Sequence, residues 1–127
     1  LPSIKVISNI AVGYDNIDIA GATERGIMVT NTPGVLTETT ADLAFAMLLS
    51  AARRIPEADQ YTRAGKIKNW QLMQPHMGVD IHEKTLGIVG MGAIGQAVAK
   101  RAKKGFDMRI IYYSSSRRER AEKKYEA

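Results

Sequence analysis

A glycine pattern between two apolar segments constrains the fold of this chain most strongly. Gly90, Gly92 and Gly95 form G-x-G-x-x-G, directly after the apolar run 86–89 and directly before the helix-forming segment 96–100. In a strand–turn–helix unit, the first glycine allows a tight turn, the second a close approach of a pyrophosphate, and the third close packing of helix against strand. The helix N-terminus adds N–H groups and a partial positive charge. The pattern predicts that residues 90–95, the glycine loop, bind a dinucleotide.

Short apolar segments alternate with helical ones along the chain. The predicted strands cover residues 4–10, 27–30, 85–89 and 108–112. The predicted helices cover 18–25 with Asp18 as N-cap, 36–53, 56–65, 93–104 and a segment from about residue 118, with a surface-packed loop over 66–83. This alternation favours an α/β fold with a parallel sheet. Because two strands beside the glycine loop are too few for a doubly wound sheet, we expect a partial Rossmann-type sheet within a larger protein.

Composition excludes several classes of function. The chain of 127 residues contains no cysteine, so it has neither disulfides nor thiolate metal sites. Its net charge of +5 comes with glutamates interleaved among the basic residues of 117–126, which is typical of a solvated helix face rather than a nucleic-acid interface. The longest uncharged apolar stretch, 43–52, is too short to span a membrane. Since no secretory signal pattern is present, we expect a cytoplasmic protein that binds neither nucleic acid nor membranes.

The residues after the second strand of the dinucleotide unit indicate which cofactor is bound. An NAD site places an acidic residue at the carboxyl end of that strand, about 20 residues after the glycines. Asp107 has about that spacing but precedes the strand, so it lies at the wrong end. The strand is followed instead by Ser114, Ser115, Ser116, Arg117 and Arg118. Hydroxyl and guanidinium groups suit a 2′-phosphate, so we predict NADP(H) rather than NAD(H). Alternatively, the serines cap the next helix and the arginines are solvated.

Three further segments carry a resemblance to a known family. They are Asn9–Asp18 (NIAVGYDNID), Val29–Leu36 (VTNTPGVL) and Thr37–Ala44 (TETTADLA). Together with the glycine loop, they resemble the D-isomer-specific 2-hydroxyacid dehydrogenases in order and over nearly the whole chain, and within that family the glyoxylate/hydroxypyruvate reductase branch. The resemblance implies that residues 1–33 are the C-terminal part of a flavodoxin-like substrate domain. Residues 34–127 are then the N-terminal part of the dinucleotide-binding domain.

The resemblance also implies roles for specific residues. Val12 and Gly13 are expected to present backbone N–H groups to the substrate carboxylate, while Val12 and Thr40 reach the nicotinamide. A simple strand-to-helix turn at Val12 and Gly13, and a local backbone hydrogen bond of Thr40, are the alternatives. Further cofactor contacts are implied for Met91, Gly92, Ala93 and Ile94 at the pyrophosphate and for Ser114, Ser115 and Ser116 at the 2′-phosphate.

Two positions depart from the family pattern. Ala93 stands where the family often has arginine, so the backbone must hold the pyrophosphate without a charge-assisted contact. Ser115 stands where relatives of this branch tend to carry arginine. Arg117, two positions farther on, is the substitute that we expect.

No catalytic residue and no metal site are expected in this chain. Reduction of a 2-oxo acid needs a hydride donor, a proton donor and a cation, and the family's histidine–glutamate pair and arginine lie downstream of these residues. His76 and His82 match neither that histidine nor a set of three or four metal ligands. We expect part of an enzyme that transfers hydride between NADP(H) and a small 2-oxo acid such as glyoxylate or hydroxypyruvate. Alternatives are a non-catalytic dinucleotide-sensing or corepressor-like module and a phosphoglycerate- or ketogluconate-type dehydrogenase.

The helix predicted over 36–53 is the candidate interface with a partner. Its apolar and small residues recur at the three- to four-residue spacing typical of a buried helix face. They are Leu36, Thr39, Thr40, Leu43, Ala44, Met47, Leu48 and Ala51. Since the family is usually dimeric, we expect a homodimer with this helix at the interface. An ordinary core helix is the alternative.

Overall fold

The computed structural model describes residues 3–127, which divide into two compact units. The first unit ends at Leu36, and the second covers Thr37–Ala127. The division lies close to the boundary predicted between residues 33 and 34. The assignment of the two units to a substrate domain and a dinucleotide-binding domain stays a prediction.

The first unit is a small parallel α/β unit. It consists of strand β1 (Val6–Ser8), helix α1 (Ile19–Glu24) and strand β2 (Met28–Thr30). The two strands pair in parallel, with Ser8 opposite Thr30. The Asp18 carboxylate accepts a hydrogen bond from the Gly21 N–H at 2.9 Å and so caps α1, as predicted. β1 is shorter than the strand predicted over 4–10 because β2 offers it few pairing partners.

The second unit contains the remaining elements. In chain order they are α2 (Thr37–Ala52), α3 (Ile55–Arg63), β3 (Thr85–Val89), α4 (Ala93–Phe106), β4 (Arg109–Tyr113) and α5 (Glu119–Tyr125). β3 and β4 pair in parallel, with Val89 opposite Tyr113 at their carboxyl ends. The predicted helices and strands are therefore present with bounds close to those expected, and the parallel α/β class is confirmed.

The core of the second unit lies between one face of the β3–β4 pair and the helices. Its buried residues are Phe45, Met91, Ala99, Ala102, Met108, Ile110, Ala121 and Tyr125. Ala99 and Ala102 are completely buried, and their small side chains allow α4 to approach the strands closely. The opposite face of the strand pair exposes Val89, Ile111 and Tyr113. Within residues 3–127 the sheet is thus covered on one face, as expected of part of a doubly wound sheet.

Helix α2 buries a different face from the one predicted. It packs against α4 through Ala41 and Phe45, and the ring centroids of Phe45 and Phe106 are 5.0 Å apart. Leu43 and Met47, from the predicted face, are 61% and 64% exposed. Positions two apart lie about 200° apart around a helix axis, so burial of positions 41 and 45 turns 43 and 47 outward. The prediction of a buried face is wrong for these residues, because apolar spacing identifies a face but not which partner covers it.

The loop between α3 and β3 is only partly packed. Trp70 is 82% exposed, so the predicted surface packing of this loop is wrong at its tryptophan. Farther along, the Val79 N–H donates to the Ala52 carbonyl at 2.8 Å. A Cβ on Gly78 would lie 2.4 Å from the same oxygen. Glycine at 78 therefore lets the loop run against the C-terminal end of α2.

Candidate functional site

The glycine loop has the backbone geometry that its spacing predicts. Gly90 follows β3 with a φ of +98°, in the region that residues with a side chain rarely adopt. Its N–H donates to the Tyr113 carbonyl at 2.7 Å, which ties the turn to the carboxyl end of β4. A Cβ on Gly95 would lie 2.1 Å from the Gly90 carbonyl oxygen and 3.3 Å from the Ile88 side chain. The close approach of α4 to β3 therefore depends on glycine at position 95.

Gly92 and the first turn of α4 leave room for an anion. A Cβ on Gly92, the N-cap, would meet no atom within 4 Å, so open space borders the backbone there. No side chain caps the helix, and its first turn has no acidic residue. The first N–H groups of a helix have no acceptor within the helix and favour negative charge nearby. The residues present thus fit a pyrophosphate held by backbone N–H groups.

Met91 contributes to the glycine loop differently from Ala93 and Ile94. Its side chain is completely buried in the core of the second unit, whereas Ala93 and Ile94 are exposed. The whole residue is 0% exposed, so neither the side chain nor the backbone of Met91 borders open space. Its carbonyl accepts a hydrogen bond from the Gln96 side-chain amide at 3.3 Å. Contact of Met91, Ala93 and Ile94 with a pyrophosphate stays a prediction.

A hydrogen-bonded cluster of Tyr112, Arg117 and Glu122, the Arg117 cluster, lies at the carboxyl end of β4 and in the segment that follows it. The Arg117 guanidinium donates from Nε and Nη2 to the Glu122 carboxylate, with a shortest distance of 2.8 Å. The Tyr112 hydroxyl donates to the same carboxylate at 2.6 Å and accepts the Arg118 N–H at 2.9 Å. The Glu122 side chain is only 23% exposed. The prediction that Glu122 belongs to a solvated helix face is therefore wrong.

The Arg117 cluster also favours the charged forms of Glu122 and Arg117. Hydrogen bonds from Arg117, and next from Tyr112, hold the pKa of Glu122 below its usual range. The hydrogen bonds to Glu122 in turn raise the pKa of Arg117. A carboxylate thus lies beside the arginine that we predicted for the 2′-phosphate. The sequence indicates the pairing of Glu122 with Arg117 only weakly. An acidic residue in the first turn of α5 is also expected from its favourable interaction with the helix dipole.

The structure brings the start of α4 and the segment after β4 to one side of the second unit. A cavity of about 530 Å³ is lined by Gln96, Arg117, Arg118, Glu119, Arg120 and Ala121. Ser114, Ser115 and Ser116 follow β4 directly at the same edge of the sheet. Thr40 is exposed on α2, and its hydroxyl makes no hydrogen bond in the described part of the chain. The cofactor roles of Thr40, the three serines and Arg117 stay predictions.

Val12 and Gly13 lie in the first unit, in the loop between β1 and α1. Both are exposed, and a Cβ on Gly13 would meet only the Asp15 carboxylate oxygen, at 3.2 Å. Backbone is therefore open to a ligand at this loop. Their contact with a substrate carboxylate, and that of Val12 with the nicotinamide, stay predictions.

Asp107 and the two histidines lie apart from the glycine loop. Asp107 is the C-cap of α4 and precedes β4, so it lies at the amino end of the strand, as the sequence indicates. His76 packs edge-on against Tyr61, with ring centroids 5.3 Å apart, and His82 Nε2 lies 3.5 Å from a Glu83 carboxylate oxygen. Over residues 3–127, no three His, Asp or Glu side chains gather into a metal-binding group. No helix in that range has the length and apolar character that a bilayer span requires.

Comparison with known proteins identifies the family to which these features correspond. Residues 45–127 match the family model described as D-isomer specific 2-hydroxyacid dehydrogenase, NAD binding domain. A glyoxylate reductase from Korarchaeum cryptofilum is 63% identical over 123 residues, which cover 96% of this chain and 36% of that protein. The chain spans a little more than a third of the length of the curated relatives that it matches.

Solved structures share the fold. The TT0316 protein from Thermus thermophilus matches with a TM-score of 0.83 and 52% identity, over 90% of this chain and 36% of that one. An NADPH-dependent glyoxylate/hydroxypyruvate reductase from Sinorhizobium meliloti, in complex with NADP and malonate, matches with a TM-score of 0.74 and 40% identity, over 93% of this chain and 36% of that one. The strand–loop–helix unit around Gly90 is that of a Rossmann-type NAD-binding domain.

Proposed function

Because this chain belongs to the D-isomer specific 2-hydroxyacid dehydrogenase family, we propose that it is part of an enzyme that transfers hydride between a nicotinamide dinucleotide and a small 2-oxo acid. The glycine loop carries this proposal, since Gly90 turns the chain, Gly92 borders open space and Gly95 admits the helix. Glyoxylate and hydroxypyruvate are the proposed substrates. Similar proteins named glyoxylate reductase and glyoxylate/hydroxypyruvate reductase support that choice.

In the proposed reaction, this chain binds and orients the reactants. The nicotinamide, when bound, exchanges the hydride. Backbone N–H groups at the start of α4 would hold the pyrophosphate, with no arginine at Ala93 to assist. We propose that Val12 and Gly13 bind the substrate carboxylate through their N–H groups. The proton donor and the cation beside the carbonyl would come from another part of a longer polypeptide.

We propose NADP(H) as the preferred cofactor. Ser114, Ser115 and Ser116 supply hydroxyl groups at the carboxyl end of β4, and Arg117 and Arg118 follow them. The Arg118 side chain makes no ion pair within residues 3–127, so its guanidinium is available to a phosphate. Arg117 is already paired with Glu122. The pairing lowers its expected share in binding a 2′-phosphate, and Arg118 is the stronger candidate.

Steady-state kinetics of the full-length enzyme test this cofactor preference. Arg118→Ala should raise the KM for NADPH by about tenfold, because charge-assisted hydrogen bonds to the phosphate are lost. Arg117→Ala should raise the same KM by a smaller factor. The KM for NADH should change little. Arg109→Ala is the matched control, since Arg109 lies at the amino end of β4 and donates to the Thr85 hydroxyl at 3.1 Å. An equal rise in the KM values for NADPH and NADH would contradict the proposed preference for NADP(H).

The division of labour between this chain and the rest of the enzyme is also testable. The 127 residues alone should not oxidise NADPH in the presence of glyoxylate, whereas the full-length protein should. Absorbance at the NADPH band measures both reactions. Turnover by the 127 residues alone would show that the catalytic groups are among them.

We propose a homodimer in which a second copy of the protein covers the exposed apolar residues of α2. Leu43 and Met47 leave apolar surface in contact with water, and burying it against a second copy is favourable. Leu43→Glu in the full-length enzyme should shift the mass measured by light scattering from dimer to monomer without a loss of circular dichroism. A variant that remains dimeric would contradict this interface.

A further inference from the structure

Two asparagines flank the loop that follows β1. Asn9 and Asn31 come directly after β1 and β2, so both lie at the carboxyl edge of the parallel pair, where Ser8 is opposite Thr30. The Asn9 N–H donates to the Thr30 carbonyl at 3.0 Å and extends the pairing by one step. This anchors the Asn9 backbone on the sheet, while the side chains of Asn9 and Asn31 contact residues 11–13, the asparagine-held loop.

Each carbonyl of the asparagine-held loop accepts a hydrogen bond. The Val12 carbonyl accepts the Asn31 side-chain amide at 2.9 Å. The Gly13 carbonyl accepts the Asn9 side-chain amide at 2.7 Å. The Ala11 carbonyl accepts a backbone N–H of the segment after β2 at 3.0 Å. Three consecutive peptide groups are therefore held in orientation from the same edge of the sheet.

Holding these carbonyls also orients the N–H groups. In a trans peptide, the N–H points opposite to the C=O of the same planar group, and the described chain has no cis peptide. The Val12 N–H shares its peptide with the Ala11 carbonyl, and the Gly13 N–H shares its peptide with the Val12 carbonyl. The Val12 N–H therefore points away from the N–H group that the Ala11 carbonyl accepts. The Gly13 N–H points away from the Asn31 amide. Neither donates to any acceptor in residues 3–127.

We propose that Asn31 and Asn9 are positioning residues that aim the Gly13 N–H group at the substrate carboxylate, beside the Val12 N–H, whose peptide is held by the Thr32 N–H. Asn31 orients the peptide that carries the Gly13 N–H, and Asn9 holds the following peptide, which restrains rotation about Gly13. Donors oriented before the ligand binds need no ordering at that moment, which favours binding. The inference rests on the proposed function, because it takes the 2-oxo acid carboxylate as the ligand of this loop.

Kinetics of the full-length enzyme with glyoxylate test the inference. Asn31→Asp keeps the shape of the side chain but replaces its donor with an oxygen that repels the Val12 carbonyl. It should raise the KM for glyoxylate about tenfold, and Asn9→Ala should raise it about threefold, as expected for the loss of one orienting hydrogen bond. The kcat should fall less than the KM rises. The KM for NADPH and the Tm should stay near those of the unaltered enzyme.

Asn16→Asp is the matched control. Asn16 belongs to the same segment, is exposed, and its side chain makes no hydrogen bond within the described part of the chain, so the substitution adds the same charge without removing an orienting contact. It should leave the KM for glyoxylate unchanged. Inhibition by oxalate, a dicarboxylate, gives a second measurement, and its inhibition constant should rise in Asn31→Asp but not in Asn16→Asp.

The outcomes separate the inference from the proposed function. If the unaltered enzyme reduces glyoxylate and both asparagine variants match its KM, the positioning role is wrong and the proposed function stands. The positioning role is also wrong if Asn16→Asp equals Asn31→Asp, or if the KM for NADPH and the Tm change together with the KM for glyoxylate. If the unaltered enzyme reduces neither glyoxylate nor hydroxypyruvate, the proposed function fails and the inference fails with it.

Discussion

The glycine loop and the asparagine-held loop both leave backbone N–H groups open to a ligand, but they do so by opposite means. In the glycine loop, side chains are absent where the chain is crowded, since a Cβ on Gly95 would meet the Gly90 carbonyl at 2.1 Å. In the asparagine-held loop, side chains are present and orient the peptides, through the amides of Asn9 and Asn31. Adding atoms to the glycine loop should therefore disrupt its geometry. Removing polar atoms from the asparagines should disrupt the asparagine-held loop.

Gly95→Ala should have the largest effect. The added Cβ cannot avoid backbone, so α4 must move away from β3, and overpacking of this kind costs about 3 kcal/mol. The start of α4 moves with it, and the KM for NADPH should rise at least about tenfold. Thermal unfolding and steady-state kinetics of the full-length enzyme measure the two effects.

Gly105→Ala is the matched control in the same helix. A Cβ there would meet no atom within 4 Å, so the substitution only removes flexibility from the unfolded chain. It should raise the free energy of unfolding by about 0.5 kcal/mol. If Gly95→Ala is as mild as Gly105→Ala, the glycine loop does not depend on the closeness of α4 and β3.

Glu122→Gln tests whether the Glu122 carboxylate restrains the Arg117 guanidinium. Like the asparagine-held loop, the Arg117 cluster depends on polar side-chain contacts. The substitution removes a negative charge beside Arg117 and leaves the guanidinium free to turn toward a phosphate. The KM for NADPH should fall about two- to fivefold, the size expected for a surface ion pair, since the Arg117 side chain is 73% exposed, while the KM for NADH stays constant. A rise in the KM for NADPH would mean that Glu122 holds Arg117 in its binding position.

How much the sequence predicts differs between these regions for a physical reason. The glycine loop is predictable because its geometry depends on backbone atoms a few residues apart. The pairing of Arg117 with Glu122 depends on where α5 begins and on the Tyr112 hydroxyl that receives the Arg118 N–H. These are contacts that no periodicity encodes.

The same limit explains why the sequence mispredicts the buried face of α2 and does not indicate the contacts of Asn9 and Asn31. The apolar spacing of α2 indicates a face to be covered, but only packing against α4 decides that Phe45 rather than Leu43 is buried. The motif around Val12 indicates a backbone site. It does not show that Asn9 and Asn31, which precede and follow it, reach its carbonyls.

Gly13→Ala should be far milder than Gly95→Ala and so sharpens the contrast between the two loops. A Cβ on Gly13 would meet only the Asp15 carboxylate oxygen at 3.2 Å, the far end of a flexible side chain. Alanine also lowers the conformational entropy of the unfolded chain, which offsets part of that strain. The free energy of unfolding should therefore change by less than about 1 kcal/mol. Denaturant titration measures it. A destabilisation as large as that of Gly95→Ala would show that the asparagine-held loop is also limited by crowding.

Acid titration should give the smallest effect, and it separates the Arg117 cluster from the glycine loop, whose residues 90–95 carry no titratable side chain. Because the pKa of Glu122 is lowered on folding, its pairing contributes stability above the pKa of the unfolded chain. That contribution is lost as the pH falls through the folded value. Carboxyl NMR should show Glu122 titrating at lower pH than in an Arg117→Ala variant. Glu126, whose pKa is lowered by Lys103 instead, should titrate alike in both proteins, and a shift of both residues would place the effect in a rearrangement of α5.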